Sequence, residues 1–476
     1  MGGSQPVDPG RWRALAVCLV AGFMALLDVS IVNVALPSLQ RELDASSAEL
    51  SWVISGYALT FGLVLVASGR LGDDHGRKKM FILSLGLFTL TSLVAGFAPN
   101  AISLVIIRLF QGATAGMLSP QITGFIQQLF RGPERGRAFG MFGAVVSIAT
   151  AIGPLLGGLL LEAGGPIGSW RYVFWVNVPI GLAALALALR LLPRDAPSTA
   201  RQPLDVVGSA LLGGAVVALM LPLVLAEQGP SSAPWWLLGV CVVLLGGFVV
   251  WERRCLRAHG QPLVDFGMLR IRSYSLGSLL ILLYFAGFTS IFFVLTLYYQ
   301  QGHDYSPLAA GLALTPFAVG SGVASVVGGR LVERHGRALA VGGLGVVLVG
   351  LIATEVVLRF DPAHVGWFTA LPLLVAGVGS GLVIAPNQTL TLNEIPPAKG
   401  GTAAGVMQTG QRIGTAVGIS VVAAIFFGRL RAGGGDYGAA ISTSLIVVMV
   451  FVACALVVGL LDLRLRRRRP QAATAA

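Results

Sequence analysis

From Arg13 to Leu463 the chain alternates long apolar runs with short polar turns. The runs fall at 14–36, 50–69, 80–98, 101–126, 138–161, 171–190, 205–225, 234–251, 274–299, 308–329, 338–358, 366–390, 402–427 and 439–463. Each holds at least about 18 residues, and at ~1.5 Å rise per residue such a run crosses a ~30 Å hydrocarbon core as a helix. Backbone in lipid must satisfy its own hydrogen bonds, which favours helices over isolated strands. The pattern therefore predicts an all-α integral membrane protein with 14 transmembrane helices. One such run could be the core helix of a soluble domain; fourteen in succession do not fit that reading.

Composition agrees. Hydrophobic residues make up 55% of the 476 and charged residues 11%, with a mean hydropathy of +0.81. Soluble domains carry about 25% charged residues, so a water-exposed surface cannot be built from this chain. The longest polar segments, near 191–204 and 252–273, are too short to fold alone, and no glycine cluster forms a GxxxxGK[ST] phosphate loop. No nucleotide cofactor is expected, and energy from ATP would need a separate subunit. Cys18, Cys241, Cys255 and Cys454 lie in or beside apolar runs, away from any CxxC or His partner. They read as buried thiols with no metal and no disulfide framework.

The net charge of +12 could suggest nucleic acid, but its placement speaks for topology. An even number of spans puts both termini on one side, and that side receives 26 of the 33 basic residues. The other side has Arg41, Arg171, Arg359, Arg429 and Arg431, while Arg108 and Arg412 fall inside spans. Such sorting predicts that both termini are cytoplasmic and that no nucleic acid is bound. Arg11 and Arg13 resemble the start of a signal peptide. The run they precede is too long for one and contains Asp28, so it reads as an uncleaved first span.

The sequence also repeats. Gly69-Arg-Leu-Gly-Asp-Asp-His-Gly-Arg77 follows the second span and Gly329-Arg-Leu-Val-Glu-Arg-His-Gly-Arg337 the tenth, with a weaker echo between Gly136–Gly140 and Gly401–Gly405. Spans 1–6 and 9–14 are thus two copies of a six-helix unit. The expected organisation is a cytoplasmic tail (1–13), an N-terminal six-helix bundle (14–190), and a linker with two inserted helices (191–273). A C-terminal six-helix bundle (274–463) and a basic cytoplasmic tail (464–476) follow. Two related halves permit alternating access around a site near the bilayer midplane.

Few polar residues interrupt the spans, and those that do draw attention. Asp28 lies in span 1 and Arg108 in span 4, each about 10–12 Å from the outer face at helical rise. A charge there costs at least ~2.5–3.5 kcal/mol, so both should be paired or line a wet cavity. Asp28 could exchange protons, with Arg108 as its modulator; the alternative is a static structural pair. Gln111 shares a helical face with Arg108, Gly112, Ala115 and Ser119. Arg412 lies mid-span in span 13 and could bind substrate, pair with a carboxylate or hold the halves together. Asn387 and Gln388 are candidate cavity groups, and Tyr284, Phe288 and Phe292 could form an aromatic wall. In the repeated loop, Gly69 and Gly76 allow a tight turn beside Arg77, and Asp73 could cap a helix of the other half. Ala149, Gly153 and Gly157 form a small-residue ridge, and Pro154 can kink its helix.

These motifs together resemble the major facilitator superfamily and, within it, the fourteen-span drug:proton antiporters. Leu27-Asp-Val-Ser-Ile-Val-Asn-Val-Ala-Leu-Pro37 is similar to that family's first-span signature, and Gly69–Arg77 to the superfamily's loop motif. Arg108-Leu-Phe-Gln-Gly112 resembles the span-4 motif, whose arginine is linked in the family to proton transfer. Gly153-Pro-Leu-Leu-Gly-Gly158 resembles the antiporter motif of span 5, and Trp170–Gly181 the start of span 6. Two departures stand out: Ala149 replaces the usual small-ridge glycine, and span 10 lacks the second carboxylate of relatives that export dications. The resemblance implies the major facilitator fold. It also implies a monomer in the cell membrane that exports lipophilic or amphiphilic small molecules in exchange for protons, without a bound cofactor. Asp73 and Arg77 would be gating elements, and Gly153, Pro154, Gly157 and Gly158 a helix interface. A proton-coupled nutrient importer is disfavoured, since residues 14–36 hold no Glu of the kind peptide symporters use. An exporter of lipid or envelope precursors stays in play. An intramembrane enzyme is disfavoured because all five histidines lie outside the spans.

Overall fold

A computed structural model describes residues 10–165, 168–195, 205–226, 233–258, 263–360 and 364–467. Most of the two tails and part of the linker, Arg201 included, lie outside the described residues. We label the helices α1 (Arg11–Leu43), α2 (Ser47–His75), α3 (Arg77–Ala95), α4 (Ala101–Leu129) and α5 (Gly132–Ala163). Next come α6 (Trp170–Leu191), α7 (Val206–Ala226) and α8 (Leu237–Ala258). The rest are α9 (Arg272–Leu297), α10 (Pro307–His335), α11 (Arg337–Arg359), α12 (Ala370–Thr391), α13 (Gly400–Ala432) and α14 (Tyr437–Arg467).

Thirteen of these are long and apolar enough to cross a membrane. The exception is α8, whose final turns carry Glu252, Arg253, Arg254 and Arg257. Its apolar part matches the predicted span, but the helix runs on into what the sequence suggested was a loop. Two more boundaries shift. The helix α6 is interrupted at Val176, between Trp170–Trp175 and Asn177–Leu191. The repeated motif is mostly helix as well, because α2 continues to His75 and Gly76 alone makes the turn, at φ +107°. Its counterpart Gly336 turns at φ +54°, again where side-chain-bearing residues are strained. Local signals fix several starts: Ser46 with Glu49 and Asn100 with Ser103 form capping boxes on α2 and α4, and Ser306 caps α10.

Packing sorts the helices. Within one set, α2 lies on α4, α1 on α5 and α3 on α4 and α6; within the other, α10 and α11 lie on α12 and α9 on α13 and α14. The two sets meet along two seams, α5 against α10 and α2 against α13. The inserted helix α7 packs on α8 and lies against both α2 and α13, covering the second seam. Met220 and Leu223 of α7 share an apolar cluster with Leu59 and Ala416, and Ser420 donates to the Leu223 carbonyl at 2.8 Å. The outer surface exposes Leu90, Phe110, Val242, Val243, Ile352 and Leu371. Lipid solvates such a surface and water does not.

Both seams close most tightly at the end of the bundle that carries the termini. A Cβ on Gly69 would sit 2.3 Å from the carbonyl oxygen of Gly401, and one on Gly136 2.4 Å from that of Gly329. Gly69 and Gly329 begin the two copies of the repeat, and Gly401 and Gly136 begin its weaker echo. Each copy therefore meets the echo in the opposite half, backbone to backbone.

Candidate functional site

Asp28 and Arg108 form an ion pair in the wall of the first bundle. Asp28 is 0% and Arg108 1% exposed. Arg108 Nη1 donates to Asp28 Oδ2 at 2.5 Å, while Gln111 Nε2 and Asn177 Nδ2 donate to Oδ1 at 3.0 and 2.9 Å. Arg108 also donates to the Val53 carbonyl at 3.1 Å and to Gln111 Oε1 at 2.8 Å. Its guanidinium lies 4.2 Å from the ring centre of Tyr57, and Gln111 Nε2 reaches Ser92 Oγ at 2.7 Å. Spacing i, i+3 puts Arg108 and Gln111 on one face of α4. Five helices thus contribute to one sealed polar cluster. Both carboxylate oxygens accept charge-assisted or amide bonds, so in this arrangement Asp28 offers nothing to a ligand. Removing one partner of such a pair leaves a buried charge unmatched, at a cost of about 3–5 kcal/mol.

Asp28, Arg108 and Gln111 stand out in the sequence as polar groups within apolar spans, whereas Asn177, Ser92 and Tyr57 do not. Asn177 stands in the segment that starts α6, and its place after the break at Val176 turns it inward. The Trp170–Gly181 segment that holds it stands out in the sequence, but a lone amide within an apolar run does not show by itself that it faces the pair.

Between the two bundles lies a separate cavity of about 280 Å³. Residues of α1, α2, α4, α5, α9, α12 and α13 line it, among them Asn33, Phe61, Ser119, Phe142 and Gln388. Arg412 projects into it with its guanidinium 4.0 Å from the ring centre of Phe61. Gln408 and Gln411 flank it on α13; Gln408 Nε2 donates to Thr123 Oγ1 at 3.1 Å. The buried oxygens of Gln388 and Gln408 and the nitrogen of Gln411 have no hydrogen-bond partner.

Three expectations change here. Asn387 does not face the cavity: it accepts from Arg337, which also pairs with Asp462 at 2.6 Å, and donates to the Gly277 carbonyl at 3.0 Å. Its neighbour Gln388 does, because successive helical residues point about 100° apart. The aromatic wall is likewise rotated. Phe285 and Phe288 line the cavity, Tyr284 is buried behind against Phe288, and Phe292 packs edge-on against Phe317. Of the proposed helix-interface residues, Gly153 and Gly157 meet Ser30, Ile31 and Val34 of α1, and Pro154 faces Gly311 of α10. Gly158 has open space where a Cβ would stand, so it lies outside the interface.

At the closed end, Asp73 spans the α2–α13 seam. Its carboxylate accepts from the amides of Gly401 and Thr402 at 3.0 and 2.8 Å and from Thr402 Oγ1 at 3.0 Å. These are free N–H groups of the first turn of α13, where the helix dipole also favours a negative charge. Arg77 holds Asp73 at 2.7 Å and donates to the carbonyls of Gly124 and Pro397. It is 7% exposed, so its part is more than that of a surface cation. Across the other seam the counterpart of Asp73, Glu333, is exposed.

Residues 18–419 match the sequence profile of the Major Facilitator Superfamily. The chain is 34% identical over 423 residues to the probable actinorhodin transporter of Streptomyces coelicolor, covering 88% of this chain and 73% of that one. It is 36% identical over 441 residues to the puromycin resistance protein pur8 of Streptomyces alboniger, with 91% and 85% covered. Among solved structures, the human organic anion transporter MFSD10 superposes with a TM-score of 0.65 at 16% identity, covering 94% of this chain and 100% of that one. At that identity the likeness concerns the fold alone.

Proposed function

The chain belongs to the Major Facilitator Superfamily, and from that premise we propose that it exports lipophilic or amphiphilic small molecules in exchange for protons. It is a multi-pass membrane transporter, and relatives named for antibiotic transport and resistance support the direction of efflux. The sorting of basic residues supports cytoplasmic termini, so the tight end of the bundle would face the cytoplasm. The observation that carries the reading is the division of labour between the cavity and the Asp28 cluster. Substrate would sit between the bundles, and the proton would sit on a carboxylate in the wall of one of them. Taking up a proton on Asp28 breaks its pair with Arg108, which couples protonation to the packing of α1, α4 and α6. The Asp73 contact with α13 would hold the cytoplasmic gate shut. A monomer suffices, because both seams lie within one chain.

The test uses purified protein in liposomes with a trapped pH dye, an imposed proton gradient and a panel of lipophilic cations, neutral antibiotics and organic acids. Substrate-dependent proton flux that vanishes in Asp28→Asn is the expected result. Substrate flux without proton movement would overturn the coupling and leave a facilitator.

A further inference from the structure

We propose that the cavity is built for an anion: an amphiphile whose carboxylate, phenolate or enolate pairs with Arg412 while its aromatic or aliphatic body lies against Phe61, Phe142, Phe285 and Phe288. This rests on the export reading above and specifies its substrate class.

The cavity holds an unbalanced charge. Among the described residues that line the cavity, Arg412 alone is charged. Its compensation is the face of Phe61, which attracts a cation but accepts no N–H bond of the strength a carboxylate does. No described carboxylate pairs with it. The nearest acid by function, Asp28, is fully buried and occupied by Arg108, Gln111 and Asn177. Arg412 is half-buried at the cavity wall; a guanidinium shielded from bulk water without an acid is costly, and buried charges are ordinarily paired. Arg108, Arg77 and Arg337 each have a carboxylate within 2.7 Å. Arg412 departs from that pattern, as does Arg135 near the start of α5; Arg412 does so at the cavity wall, where a ligand can supply what the protein does not.

The neighbouring groups fit the same ligand. Gln411 Nε2 is a buried donor with no acceptor, one residue from Arg412. A carboxylate can accept from guanidinium and amide at once, since it offers about four lone-pair sites. The unpartnered oxygens of Gln388 and Gln408 would receive hydroxyl or amide donors on the rest of the molecule. A cationic ligand would meet the field of Arg412 with no exposed acid to offset it.

The experiment measures binding to the purified full-length protein without any proton gradient, which keeps it independent of the coupling. Three probes share one ring system: 9-anthracenecarboxylate, 9-anthracenecarboxamide and 9-anthracenylmethylammonium. We expect the carboxylate to bind at least about tenfold more tightly than either of the others, the scale of one charge-assisted hydrogen bond. Arg412→Gln should bring the carboxylate down to the level of the amide, and Arg412→Lys should keep part of the preference. Equal binding of carboxylate and amide by the wild-type protein, or no carboxylate binding at millimolar concentration, overturns the proposal and needs no variant to fold. So does a preference that survives in Arg412→Gln. Should Asp28→Asn bind the carboxylate as the wild type does but move no protons, the anion site stands apart from the coupling. If the wild type binds the carboxylate yet drives no proton flux with it, the coupling fails and the anion site remains.

Discussion

Glu252 sits just beyond the apolar part of α8 with its side chain shut away from water. Burial, then the nearby charge of Asp205, raises its pKa from 4.5 to about 7. The folded protein therefore favours the protonated acid, and the stability this contributes is full below the unfolded pKa and lost as pH rises through about 7. The thermal unfolding midpoint in detergent should fall between pH about 5 and about 8, and Glu252→Gln should flatten that part of the fall. An unchanged slope in the variant would sink the assignment. Neither Glu252 nor Asn177 was legible as special in the sequence, whereas Asp28, Arg108 and Arg412 were. A charge inside an apolar run is conspicuous because its insertion is costly. A neutral amide there, or an acid at a helix end, is not, and its role depends on which way a helix turns. Asn387 and Gln388 make the point, since the sequence could not say which of two neighbours faces the cavity.

At the scale of elements, the seams depend on main chain rather than on side chains. Any substituent at Gly69 would press on the Gly401 carbonyl, and overpacking of this kind costs about 1–3 kcal/mol. That shifts a closed-to-open ratio about five- to 150-fold. In Gly69→Val, spin labels at the near ends of α2 and α13 should report longer distances and export should fall. Gly158→Val, made where the space is open, should change neither. The helices themselves were legible from run length alone. Their ends were less so: α2 and α8 run on through charged residues, because helix propensity and capping, not hydropathy, decide where a helix stops.

For the whole molecule, the repeat disclosed two related bundles, and the paired glycines show where they touch. It could not disclose the docking of α7 and α8, which have no counterpart in the repeat and whose seat over the α2–α13 seam depends on the assembled halves. Alternating access requires the seams to part. Ser147 on α5 and Ser321 on α10 approach to 2.9 Å between hydroxyl oxygens, so Ser147→Cys with Ser321→Cys should form a disulfide once the four native cysteines are replaced. Oxidation should stop export and a reductant should restore it; export that persists with the bond formed would show that α5 and α10 do not separate at that level. The solitary charge of Arg412 has a further, electrical consequence. Its cavity carries one positive charge when empty and none when it holds a monovalent anion. A cycle that sends such an anion out and brings one proton in moves two charge equivalents inward. At about 2.3 kcal/mol per charge for each 100 mV, the resting voltage would then pull on transport twice over, even with no pH difference across the membrane.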